Sequence, residues 1–276
     1  TRLMQALRQN GWRKIAIAGP TRGCGATFTA VNLALALQAE GASVGILDAD
    51  IYGPSLPLVM GIPAGTRPQI KDQRVMLPLV AHGVECNSMG FLVDAKTAMV
   101  WRAPMVVSAF NQILNDTEWS ELDYLIIDMP PGTGDIQLSL AQNVAVSGAV
   151  IVTTPQDIAL SDARKGIEMF TKVNVPILGV VENMSVHVCS KCGHAEAIFG
   201  SGGGDRLAQD YEVDVIGRLP LDIAIREQTD RGTPVVASDA NAAIVEAYTS
   251  LAQAVHAQTL AQVEQAERPT LSVVDD

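Results

Sequence analysis

Cysteine is rare in this chain. Four residues in 276 are too few to staple a fold of this size with disulfides, so a reducing compartment and a core held by burial are expected. Basic residues are also in short supply. Lys and Arg number 19 against 30 Asp and Glu, and the resulting net charge of −11 argues against nucleic acid or an anionic membrane as a principal partner. No apolar run approaches the roughly 18 residues needed to span a bilayer, and no charged-then-apolar export signal follows Thr1. A cytoplasmic location is the default expectation. There is no Pro/Ser-rich linker and no repeat. A single domain is therefore expected over residues 13–268, between a lead-in at 1–12 and a tail at 269–276.

What is present is organised around residues 13–50. An apolar run at 15–18 feeds a glycine-rich loop at 19–25, a helix-period segment at 27–40, Gly41 as a stop, and a second apolar run at 44–47 that ends in Asp48-Ala49-Asp50. A strand, loop, helix and strand in that order set the helix N-terminus over the strand ends, where its unpaired N–H groups favour an anion. The loop almost fits the phosphate-binding pattern GxxxxGK[ST]. Gly25 and Thr27 stand where the second glycine and the magnesium-ligating hydroxyl belong, but Pro20 replaces the first glycine and Ala26 the lysine. A methyl group cannot neutralise phosphate, so hydrolysis is expected to be absent or very slow. Arg22 carries charge from a different backbone position and is given little weight.

Further strands are expected at 84–87, 124–128, 149–153, 177–181 and 213–219, with a short hairpin around 74–76. Helices are expected from Ala103-Pro104 to Leu114, over 161–173, and over 241–267, the last as core packing. Alternating strands and helices imply an α/β fold with three layers, a mostly parallel sheet covered on both faces. The strand at 124–128 ends in Asp128 before a Pro/Gly turn, which suits a carboxylate that holds magnesium or its water; a helix-capping aspartate is the plainer alternative. Cys24 and Cys86 read as small buried residues.

Cys189 and Cys192 form a CxxC in a compact loop at 187–194. One such pair supplies two thiolates, whereas a structural zinc or a cubane iron–sulfur cluster takes four ligands. A second copy of the chain could complete the set. The chemistry of the sulfur donors leaves zinc and iron–sulfur open.

Several stretches together resemble one family: TAVNLALAL from Thr29, GILDADIYGPS from Gly45, MVWRAPM from Met99, DMPPGTGDIQLSLAQ from Asp128, TTPQDIAL from Thr153, GVVENMS from Gly179, CSKCGH and GRLPLD from Gly217. They are similar to the Mrp/ApbC-type iron–sulfur cluster carriers, a branch of the MinD-like P-loop ATPases. The resemblance implies a homodimer holding a 4Fe-4S cluster on the paired Cys189 and Cys192, with cluster donors and apoprotein acceptors as partners. It further implies ATP and Mg2+ at the loop formed by Gly23, Cys24, Gly25, Ala26, Thr27 and Phe28, with Thr27 on the metal, Asp48 beside it, and Asp50 and Asp128 as the catalytic carboxylates. Asn183, Pro220 and Asp222 would face the adenine. The family's loop carries two lysines, and Thr21 and Ala26 stand in their places here. Two other readings use the same residues, a MinD/ParA-like regulatory switch without metal and a zinc-bridged structural dimer.

Overall fold

The computed structural model describes residues 11–92, 101–238 and 241–267. Residues 1–10 of the lead-in, the tail at 269–276, and Met99 and Val100 of the MVWRAPM stretch lie outside the described residues.

The first apolar run forms β1 (Arg13–Ala18), and it lies in the interior of an eight-stranded sheet because every residue from Ile15 to Ala18 is buried. Around it lie β2 (Val44–Asp48), β5 (Leu79–Ala81), β6 (Val84–Ser88), β7 (Tyr124–Asp128), β8 (Gly148–Thr153), β9 (Ile177–Glu182) and β12 (Val215–Arg218). The order is β12-β9-β8-β1-β7-β2-β6-β5, and all pairs are parallel except β5 with β6. Successive side chains of β1 alternate between two cores. Ile15 and Ile17 join the layer of α1 (Ala26–Ala39) and α9 (Ala242–Glu267). Ala16 and Ala18 join the layer of α4 (Ala103–Asn115), α5 (Asp135–Asn143) and α6 (Asp157–Lys172). Helices thus cover both faces, and the three-layer α/β expectation holds.

α1 shows why TAVNLALAL has no polar side. Thr29 to Leu37 are all buried, since the helix is pressed between the sheet and α9. Its one amide in that run, Asn32, is satisfied by donating to Phe28 O at 2.9 Å and accepting from Val236 N at 3.1 Å. Ile244, Tyr248, Leu251 and Val255 of α9 are core residues, as the helical spacing predicts.

Some elements differ from the sequence reading. α6 begins at Asp157, one turn before the expected start at 161, because Pro155 ends the preceding strand and Asp157 suits the positive end of a helix. The last strand is shorter than expected, β12 covering only Val215–Arg218. The hairpin near 74–76 pairs β3 (Gln69–Lys71) with β4 (Val75–Leu77) across Asp72 and Gln73, both at positive φ. The short helix expected after the glycine run at 200–204 is α7 (Gly203–Asp210), whereas the sequence reading missed α2 (Leu56–Val59), α3 (Met89–Leu92) and α8 (Ile223–Asp230), all short and sequence-ambiguous.

Candidate functional site

β1 sits between β7 and β8, so the chain leaves the sheet in opposite directions on either side of it, and a crevice opens beyond the carboxyl ends of the strands. The glycine loop after β1 lines this crevice. The cavity has a volume of about 310 Å3 and is lined by Gly19, residues 21–28, Asp50, Gly53, Ser55, Met129, Pro131 and Met184. Gly23, Cys24, Gly25, Ala26, Thr27, Phe28 and Asp50 of the expected set therefore come together. Asp48 and Asp128 lie directly behind, at opposed positions of β2 and β7.

These two carboxylates are buried, and the sheet register forces them together. Burial pushes the Asp48 carboxyl up to about 7, against hydrogen bonds from Asp50 N at 3.0 Å, Ser88 Oγ at 3.0 Å and Leu56 N at 3.3 Å. Asp128 is raised well above the ordinary carboxylate range, first by burial and then by the charge of Asp48, while a hydrogen bond from Thr27 lowers it. Its Oδ1 is buried without a partner. A buried oxygen without a donor, a hydroxyl at Thr27 and neighbouring carboxylates form an all-oxygen donor set of the kind that suits Mg2+. The residues present fit that ion.

The folded Asp48 carboxyl keeps its proton up to about pH 7, whereas the unfolded one releases it near 3.8. The folded chain binds the extra proton between those values, so this group's contribution to stability grows as pH falls from above 7 towards 4. Asp128→Asn removes the neighbouring charge and should raise the melting temperature of the metal-free protein by roughly 2–6 °C, more at pH 8 than at pH 6. Thermal melts in chelator at the two pH values check this, and an equal shift at both would contradict the electrostatic cause.

The loop is fixed from two sides. On one side Asn183, at the end of β9, donates from Nδ2 to Cys24 O at 2.8 Å. Gly25 has φ +86°, and a Cβ there would lie 2.2 Å from Asn183 Nδ2, so only glycine lets the two segments approach. On the other side Thr21 Oγ1 donates to Asp162 Oδ2 of α6 at 3.2 Å. Pro20 packs on Gly166 of the same helix, where an added Cβ would stand 2.5 Å from Pro20 Cγ. Alanine normally improves a helix by about 1 kcal/mol over glycine. Gly166→Ala should instead lower the melting temperature, because a rigid proline ring must move and carries the loop with it. A melt that rises would show the loop to be looser than its packing implies.

The Cys24 thiol is buried and pushed up to about 11 by burial, so its part in the site is its backbone. Pro220 and Asp222 are outside the cavity lining; Asp222 accepts from Ala224 N at 2.7 Å and caps α8.

The cysteine pair sits in a small hairpin of β10 (His187–Val188) and β11 (Ala195–Glu196). Cys189 N donates to His194 O at 2.9 Å, and Gly193 N to Cys189 O at 2.8 Å, closing the turn that brings the thiols to the surface. Cys189 is half-buried, Cys192 is exposed, and both are free thiols. The Lys191 amide, then the Cys192 amide and thiol, hold the Cys189 thiol below its ordinary range, which favours the thiolate that binds metal. Among the described residues no set of three or more His, Cys, Asp or Glu converges as a metal site, so the pair stands as two ligands. The hairpin is tied back to the body through Ser185 N to Leu219 O at 3.0 Å and Leu221 N to Val186 O at 2.8 Å. Sequence reasoning missed these ties and the pinning of Thr21 by Asp162, which is 141 residues away; no local signal records such a pairing.

The family model described as "ParA: NUBPL iron-transfer P-loop NTPase" matches residues 12–256. An iron-sulfur cluster carrier protein from Pseudomonas fragi is 61% identical over 86% of this chain and 83% of its own length. The iron-sulfur cluster carrier protein of Escherichia coli (strain K12) is 56% identical over 91% of this chain and 68% of its own. Among solved structures, a nucleotide-binding protein from Archaeoglobus fulgidus in complex with ADP superposes with a TM-score of 0.71 at 32% identity, covering 84% of this chain and 90% of that one.

Proposed function

The chain belongs to the NUBPL iron-transfer P-loop NTPase family, and on that footing we propose that it carries an iron–sulfur cluster to acceptor proteins, the cluster being cargo held by thiolates of two copies. The observation that carries this reading is the surface hairpin with two free thiols, one of them held towards the thiolate form, and no third ligand converging on them among the described residues. Half a coordination sphere per chain calls for a second copy, and a 4Fe-4S cubane with four thiolates matches two pairs. Release then follows by exchange of these thiolates for those of an acceptor, with no change in oxidation state. An exposed pair is open to such attack.

ATP with Mg2+ belongs in the cavity at the loop. Mg2+ supplies positive charge for phosphate, and Thr27 with Asp128 would hold it. Asn183 joins the cavity to the cysteine hairpin, since it bonds Cys24 O on one side and is followed within six residues by Cys189. Nucleotide occupancy that shifts the loop therefore bears on the segment leading to the thiols, a two-state coupling. With Ala26 in the lysine's place, hydrolysis is slow.

Anaerobic reconstitution with iron and sulfide tests the reading. The expected product is a brown dimer with four iron and four sulfide per two chains, whereas zinc without sulfide supports the stapled dimer and a metal-free dimer supports the switch.

A further inference from the structure

We propose that Arg22 is the side chain that neutralises phosphate in this cavity, in place of the loop lysine that the chain lacks; this rests on the nucleotide-binding reading above. Arg22 lines the same cavity as Thr27 and Asp50, and among the described lining residues it alone is basic. The two positions where lysines would stand are closed to that task. Ala26 has no donor on its side chain, and the Thr21 hydroxyl is engaged by Asp162, which also takes Lys165 Nζ at 2.9 Å.

The state of Arg22 itself points the same way. Several exposed arginines pair with carboxylates, Arg164 with Asp210, Arg206 with Asp157 and Arg226 with Asp230; Arg67 and Arg102 do not, but neither lines the cavity. Arg22 is exposed, yet among the described residues its guanidinium has neither a hydrogen bond nor an ion pair. It is a free cation on a cavity whose lining includes Asp50, with Asp48 and Asp128 buried behind. Asp50 on that lining repels a polyphosphate. The N–H groups of the first turn of α1 offset part of that repulsion, and a divalent cation offsets more. A planar guanidinium adds paired N–H···O bonds to phosphate oxygens, which a methyl at position 26 cannot.

The test is a titration of the full chain with a fluorescent ADP analogue and Mg2+, using wild type, Arg22→Gln, Arg22→Lys, Ala26→Lys and the Arg22→Gln/Ala26→Lys double variant. Arg22→Gln should weaken binding about 10-fold or more, as loss of a charge-assisted contact does, and Arg22→Lys should retain part of it. The loss should shrink in the Ala26→Lys background, where a lysine again meets the phosphate; a structural role would not be rescued this way. Melting of the nucleotide-free Arg22→Gln protein should match wild type, because the side chain is exposed and unpaired. If wild type binds and Arg22→Gln binds equally well, the role of Arg22 is overturned while the cavity reading stands. If wild type binds no nucleotide at all, the cavity reading falls, and this proposal with it.

Discussion

Ala26→Lys raises nucleotide affinity by at least one decade and brings measurable ATP turnover. Ala26 opens α1 and lines the cavity, so a lysine there begins at the helix end that already favours anions. Each charge-assisted hydrogen bond that it adds is worth about 1.5–3 kcal/mol, or roughly 10–150-fold in affinity. Turnover gains further, because charge on the transferring phosphoryl group is met where it develops. The surroundings suit such a lysine: Thr27 and Asp50 line the cavity, and the loop is held by Asn183 and Asp162. Calorimetric titration and phosphate release with the full chain measure the two gains. Unchanged affinity would mean that this loop does not grip phosphate from the position at which residue 26 stands, and would remove the reason to expect slow hydrolysis.

Cys189→Ser and Cys192→Ser, singly or together, abolish cluster loading. Neither buried thiol can substitute. Cys24 lies beneath the glycine loop, and Cys86 is fully buried with burial raising its thiol to about 12. A serine oxygen is a hard donor poorly matched to iron in a sulfide cluster. Iron and sulfide in anaerobically reconstituted protein should therefore fall to background, and the cluster-dependent share of dimer should vanish with them. The fold is spared, since both positions lie in a surface hairpin outside the two cores. A double variant that still binds a full complement of iron and sulfide would place the cargo elsewhere and sink the carrier mechanism. Retention of zinc by wild type in place of iron would favour the stapled dimer instead.

The frame of the protein was readable without coordinates because its signals are local. Continuous apolar runs mark β1 and β7, as strands buried on both faces must read, and the apolar segment between Gly25 and Gly41 marks α1 by its length and its glycine boundaries. The glycine loop, the aspartates at strand ends and the CxxC are likewise contiguous, so the candidate site residues could be named from their types and spacing alone. Short pieces such as α2, α3 and α8 were not readable, because four to eight residues carry too little pattern to separate helix from loop.

Composition and local pattern thus determined the fold class, the site's chemical parts and the missing lysine, each a property of neighbours in the chain. Only the tertiary structure decided which parts meet. Sheet register sets Asp48 against Asp128, and burial raises both carboxyls; α6, more than a hundred residues downstream, ties up Thr21 through Asp162 and leaves Arg22 as the basic side chain on the cavity lining; and Asn183 bridges the phosphate loop to the segment that leads into the cysteines. The physical reason is that burial, charge coupling and hydrogen bonding depend on distance in space, and segments far apart in sequence acquire that distance only when the sheet assembles.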